Sequence, residues 1–330
     1  MKLDPKYFLD LSEKIVDGYN PIIDEYKIIA QIPDESVFYL LAGSNLIRKA
    51  FHGNSIHLCT ICNGKSGRCT EDCTFCAQSS VSKATISKYS LMPKHDLQEG
   101  ARKAIDTPIN RYSIVTSGKR LSRKEVDTIA EAISELDQNK LDYCVSLGTL
   151  GKEDFDILVK AGVTRYHHNL ETSKSHYPAI CSSHSYEERI ETIEQAKRTG
   201  LSICSGGIFG IGESDDQILE LALTLKQLEV DSVPINFLTP IKGTPLESQN
   251  SLTPLKCLKI ISLFRYMLPR SEIIICGGRI HNLMELHPFV FHSGASGIMT
   301  GNYLTTKGQT LKSDLNLLRS LELKSRRNFV

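Results

Sequence analysis

The stretch "SIHLCTICNGKSGRCTEDCTFCAQ", residues 55–78, joins an apolar, β-branched run to a polar loop carrying Cys69, Cys73 and Cys76. The run "SIHLCTIC" (55–62) predicts a buried strand, because branched side chains pack well on a pleated surface. Reactive side chains directly after a strand suit parallel architectures, which gather their chemistry at strand C-terminal ends. The fold then depends on whether this unit recurs along the chain.

It recurs seven times. Further strands are predicted at "RYSIVTS" (111–117), "LDYCVSL" (141–147), "RYHHNL" (165–170), "SICSGGI" (202–208), "SVPINFL" (232–238), "EIIICG" (272–277) and "SGIMTG" (296–301). Helix-length stretches separate most of them, such as "SRKEVDTIAEAISEL" and "SYEERIETIEQAKRTG". The latter opens on Ser185 with Glu188 three residues on and stops at Gly200, a capped helix read from sequence. Eight strand–helix units predict an α/β fold, a (β/α)8 barrel; the same alternation also permits a doubly wound open sheet. Residues 1–50 read as an N-terminal helical extension, 51–320 as the barrel and 321–330 as a C-terminal tail. No repeat, low-complexity tract or linker divides the chain further.

Thirty-nine basic against 38 acidic side chains in 330 residues leave no electrostatic footprint for nucleic acid or an anionic membrane. A small-molecule partner is expected instead. "MKLDPKYFLDLSEKIVDGYN" lacks the apolar core of a secretory signal, and no run is long enough to span a bilayer, so the expected location is the cytoplasm. In such a compartment the ten cysteines read as reduced thiols serving metal, not as disulfides.

Three close cysteines fall one short of the four ligands of a structural zinc site. Iron–sulfur cubanes also usually take four thiolates, so three leave one iron open to a further ligand. The loop resembles the radical S-adenosylmethionine (radical SAM) superfamily. That resemblance implies a [4Fe–4S] cluster on Cys69, Cys73 and Cys76, S-adenosylmethionine (SAM) chelated at the open iron, and reductive formation of a 5′-deoxyadenosyl radical. Phe75 takes the position of the aromatic residue near the adenine.

"NGKSGRCTEDCTFCAQSS", "SLGTL", "HNLETS", "YEERIETI", "CSGGIFGIGE", "VPINFL", "KGTPL" and "LTTKGQ" together resemble the biotin synthase family over about residues 45–320. The resemblance implies the barrel over the open sheet, and dethiobiotin as substrate. It also implies a flavodoxin- or ferredoxin-type electron donor and a homodimer. Asn169 and Asn236 match asparagines that contact the ureido ring, which an amide suits as both donor and acceptor. Thr305 and Thr306 match the pair that binds the substrate carboxylate. Arg189 matches an arginine that pairs with the SAM carboxylate, and Glu171 replaces an aspartate at the ribose. His167 stands where the family has Asn, leaving that contact open. "GGIFGIGE" is too loosely spaced for a phosphate cradle.

The chain departs from the family at the auxiliary cluster, usually a [2Fe–2S] rhomb on three cysteines and an arginine. Cys144 and Cys204 match two of those ligands, but Ser113 and Ile274 stand at the others. Cys276 lies two residues beyond Ile274, on the same face of a strand, and alternate barrel strands share a layer. Cys144, Cys204 and Cys276 are therefore expected to hold an auxiliary iron–sulfur cluster, four-iron in type, whose open iron could carry the sulfide to be inserted. Cys59, Cys62, Cys181 and Cys257 read as structural. Two alternatives stay open on sequence: a related maturase or mutase for another small substrate, and a noncatalytic iron–sulfur or zinc-binding barrel.

Overall fold

The computed structural model describes residues 4–327. Its strands are β1 (Ser55–Lys65), β2 (Arg111–Thr116), β3 (Asp142–Ser146), β4 (Arg165–His167), β5 (Ser202–Cys204), β6 (Gly207–Phe209), β7 (Ser232–Phe237), β8 (Glu272–Ile275), β9 (Gly297–Met299) and β10 (Lys324–Ser325). β1 to β5, then β7 to β9, pair in order, and β9 returns to β1 through His57–Gly297, Leu58–Ile298 and Cys59–Met299. Every pairing is parallel, and the sheet closes on itself as a barrel; the open-sheet alternative is excluded.

All eight predicted strands are present, one of them in two pieces. β5 stops at Cys204 and β6 resumes at Gly207, both leaning on β7. The break sits at Ser205 and Gly206, where a side chain on Gly206 would collide with the carbonyl of Pro234. Predicted strand 165–170 ends early, since the amides of Leu170 and Glu171 both turn to donate to the Gly206 carbonyl.

Helices α1 (Pro5–Val16), α2 (Ile23–Ala30) and α3 (Phe38–His52) precede the barrel. Then α4 (Lys94–Ile105), α5 (Arg123–Ser134), α6 (Lys152–Lys160), α7 (Tyr186–Arg198), α8 (Asp215–Gln227), α9 (Pro254–Met267), α10 (Arg279–Leu283) and α11 (Leu311–Ser320) fill the connections. Ser185 Oγ accepts from the Glu188 amide, and the Glu188 carboxylate accepts from the Ser185 amide, closing the capping box that sequence predicts. α9 is buried on all sides from Cys257 to Met267 because α2 and α3 cover its outer face, which explains its apolar residues all round.

Apolar residues fill the layer between strands and helices, whereas the barrel's lower interior is charged. Arg165 Nη1 donates to Glu272 Oε2 at 2.7 Å, His57 Nδ1 lies 3.6 Å from Glu272 Oε1, and Arg326 adds a second guanidinium to that carboxylate. β10 pairs in parallel with the head of β1, Ser55 to Lys324 and Ile56 to Ser325, which brings Arg326 to this plug. No helix among the described residues is long and apolar enough to cross a membrane.

Candidate active site

A cavity of about 410 Å³ runs down from the C-terminal ends of the strands, and every site residue expected from sequence lines it. The three-cysteine loop forms its rim, Arg189, Glu171 and the two asparagines its wall, and the strand thiols its floor.

The rim loop is held in place by its backbone. The Gly67 amide donates to Gln78 Oε1 at 2.8 Å, Ser80 N to Glu71 O at 2.8 Å, and Thr74 N to Ile180 O at 2.9 Å. Asp72 accepts from the amides of Ser182 and Ser183; these bonds outweigh burial and hold its carboxyl well below the usual range. Cys69 and Cys76 face one another closely enough that Cys69 opposes ionisation of Cys76, whose thiol burial pushes up to about 11. Cys73 Sγ turns to Cys181 Sγ at 3.8 Å. Cys181, read as structural or incidental from sequence, thus backs the rim without lining the cavity, and a CxxxCxxC pattern has no means of showing a partner more than a hundred residues away. It meets His184 Nδ1 at 3.4 Å, and His184 pairs with Glu71.

Glu71, Cys181 and His184 are the only trio among the described residues whose ligand atoms all lie within 4.8 Å of one another. The loop thiols therefore stand wider than a single tetrahedral zinc requires, since Zn–S bonds of about 2.3 Å place sulfurs roughly 3.8 Å apart. Three half-buried thiols at the mouth of a cavity, spread beyond single-ion distance, fit a cluster.

Arg189 projects from α7, buried, with Nε donating to Tyr177 Oη and Nη1 to Asn169 O, each at 2.8 Å. Nη2 has no hydrogen-bond partner among the described residues, so the guanidinium keeps a donor edge for a carboxylate. Glu171 Oε1 lies 3.8 Å from Arg189 Nη1. Glu171 holds a left-handed backbone, φ 69°, rare for a non-glycine. It is stitched there by Ile208 N donating to its carbonyl at 2.8 Å. Gly207 makes that approach possible, because a Cβ on it would stand 2.5 Å from Glu171 O.

Asn169 Oδ1 accepts from Gly206 N at 3.1 Å, and its Nδ2 donates to Glu171 Oε2 at 3.3 Å. Asn236 Oδ1 accepts from Gly277 N at 3.0 Å, and its Nδ2 donates to Gly207 O at 3.2 Å. Both amides are thus fixed in orientation, each with a further lone pair and N–H still available. Thr305 and Thr306 reach the cavity on the loop after β9, which Asn63 Nδ2 tethers at Leu304 O, 3.0 Å. Arg279 anchors the same loop through Tyr303 Oη and is itself fully buried, its Nη2 donating to both carboxylate oxygens of Asp314 at 2.7 Å. Phe75 packs against the core beside the loop cysteines.

At the floor, Cys144 on β3, Cys204 at the end of β5 and Cys276 just past β8 are buried and line the cavity together. Burial pushes the Cys144 thiol up to about 11, opposed by the guanidinium of Arg111. His167 Nδ1 lies 3.3 Å from Cys204 Sγ, and burial lowers the His167 pKa to about 4. Ser113 and Ile274 also reach the cavity. The Gly-rich turn after β6 offers no phosphate cradle, since the amides of Gly210 and Ile211 already bind the Glu213 carboxylate at 2.7 and 2.8 Å.

Residues 65–225 match the Radical SAM superfamily and residues 234–324 the Biotin and Thiamin Synthesis associated domain. The chain is 51% identical over 321 residues to the biotin synthase of Desulfatibacillum aliphaticivorans, covering 97% of this chain and 98% of that one. It is 47% identical to the biotin synthase of Sulfurihydrogenibium sp. (strain YO3AOP1), covering 94% of each. Among solved structures, methylornithine synthase (PylB) superposes with a TM-score of 0.83 at 19% identity over 96% of this chain and 97% of that one. The [FeFe]-hydrogenase maturase HydG superposes with 0.80 at 15% over 98% of this chain and 76% of that one. At those identities the structural likenesses speak to the barrel alone, whereas the sequence likeness runs the length of the chain: it belongs to the biotin synthase family of radical SAM enzymes.

Proposed function

We propose that this enzyme converts dethiobiotin to biotin in the cavity described above, with Cys69, Cys73 and Cys76 holding a [4Fe–4S] cluster and SAM beside it. The observation that carries the reading is the stacking, within one cavity, of a thiol rim, a wall bearing a guanidinium, a carboxylate and two oriented amides, and a thiol floor. When bound, the cluster and SAM supply a one-electron reductive cleavage whose radical product removes hydrogen from an unactivated carbon. The chain's own contribution is position. Arg189 presents its free edge to the SAM carboxylate and Glu171 its carboxylate to the ribose, while Phe75 lies by the adenine. Asn169 and Asn236 meet the cyclic urea, and Thr305 and Thr306 its carboxylate tail. The deep cavity excludes water and holds the reacting carbons between rim and floor.

The floor thiols Cys144, Cys204 and Cys276 hold an auxiliary cluster, four-iron in type, that supplies the inserted sulfur. Soft, buried thiols are the donors iron–sulfur clusters select. A homodimer in the cytoplasm, reduced by a flavodoxin or ferredoxin, completes the reading and rests on family resemblance. Anaerobic reconstitution followed by incubation with dethiobiotin, SAM and a low-potential reductant tests it: biotin and 5′-deoxyadenosine should appear together. Release of 5′-deoxyadenosine that is indifferent to dethiobiotin would overturn the substrate. A second cluster should raise bound iron to about eight per chain, two cubanes' worth.

A further inference from the structure

Cys59 lies on β1, 8% exposed, in a small apolar cluster with Ile274 and Cys276 against which Met299 packs. It lines the same cavity floor as Cys144, Cys204 and Cys276. These four residues sit on or directly after β1, β3, β5 and β8, the first, third, fifth and seventh walls of the closed barrel. Alternate strands fill one layer of such a barrel, so four walls each send one thiol toward a shared centre.

Two further features distinguish this set from packed apolar cysteines. No three of the four sulfurs come within the 4.8 Å that would suit one ion, and all four are free of disulfides, so the group is not a single-ion site and its thiols are open to a larger one. It is also faced by buried positive charge. Arg111 and Arg165 are buried and line the same cavity, and the buried Nε of Arg111 has no partner. A buried donor left unpaired in this floor suits an anionic occupant, which a thiolate-ligated cluster is.

We propose that Cys59 is the fourth protein ligand of the auxiliary cluster, so that the floor site is a four-thiol set of Cys59, Cys144, Cys204 and Cys276. The proposal rests on the reading that an auxiliary cluster occupies this floor. It fills the iron that a three-thiol set leaves open.

The test compares reconstituted wild type, Cys59→Ala and Cys59→Ser by iron and sulfide counts, Mössbauer and EPR spectra, with circular dichroism to check folding. Wild type should hold two clusters. Cys59→Ala should lose most of the auxiliary iron, keep the loop cluster and still cleave SAM. Cys59→Ser, with a hard oxygen ligand, should shift the auxiliary cluster's Mössbauer parameters and leave those of the loop cluster unchanged. Two clusters in wild type with an unaltered auxiliary spectrum in both variants would overturn the Cys59 assignment alone. A wild type with only the loop cluster would overturn the auxiliary reading itself. If Cys59→Ala fails to fold, the Cys59→Ser spectrum decides.

Discussion

At the scale of single residues, Cys73 and Asn236 separate the two halves of the proposed chemistry. Cys73→Ala removes one rim thiol from a loop whose path is fixed by Gln78, Asp72 and the Thr74 amide. The variant should therefore fold as the parent does and form no 5′-deoxyadenosine above background; retained cleavage of SAM would contradict the rim assignment. Asn236→Ala removes an amide from the wall and should weaken dethiobiotin binding by roughly tenfold or more, because an unpaired buried group costs about 1–3 kcal/mol and 1.4 kcal/mol is one decade. Isothermal titration on the SAM-loaded protein measures this. The same substitution removes the side-chain bonds to Gly277 N and Gly207 O, so its unfolding midpoint should fall as well, independently of ligand. Unchanged affinity would remove the cyclic urea from this wall.

Among elements, the loop after β9 depends on a pair distant from it in sequence. Arg279 at the start of α10 is fully buried and takes its counter-charge from Asp314 on α11, while its Nε holds Tyr303 two residues before Thr305. Asp314→Asn leaves the guanidinium buried without an anion, which should destabilise the protein by about 3–5 kcal/mol in urea unfolding and raise the KM for dethiobiotin by loosening the threonine loop. A change of under 1 kcal/mol would show the pair to be dispensable. This anchor was not legible in the sequence: "GGRIHN" and "LKSDLN" carry no mutual pattern, and only the closed barrel brings them together. The eight strands and the capped helices were legible because each is a local pattern of period and cap. Cys59 was not, since a lone cysteine in an apolar run looks like packing until barrel closure decides which face of β1 points inward. β10, two residues long, is too short to carry any period.

Over the whole molecule, burial holds several histidines neutral. His52 and His57 are lowered to about 3, and His167 and His287 to about 4, from 6.5. Between those values the unfolded chain binds more protons than the folded one. Stability is therefore complete above about pH 6.5 and falls as pH drops, by about 1.4 kcal/mol per unit for each histidine. Anaerobic thermal unfolding of the reconstituted enzyme should give a midpoint that falls gently from pH 7.5 to 6.5 and more steeply toward 5.5, shallower by about one proton in His287→Gln. A flat profile would contradict the buried-neutral assignment. The pairing of β1 with both β9 and β10 bears on how the enzyme is made in the cell. β1 is translated well before its partners at Gly297–Met299 and Lys324–Ser325, so the nascent chain carries an open strand edge while the intervening barrel is made. The thiols of the floor have no common centre until that edge is covered, so the auxiliary cluster proposed there is assembled only after the barrel closes.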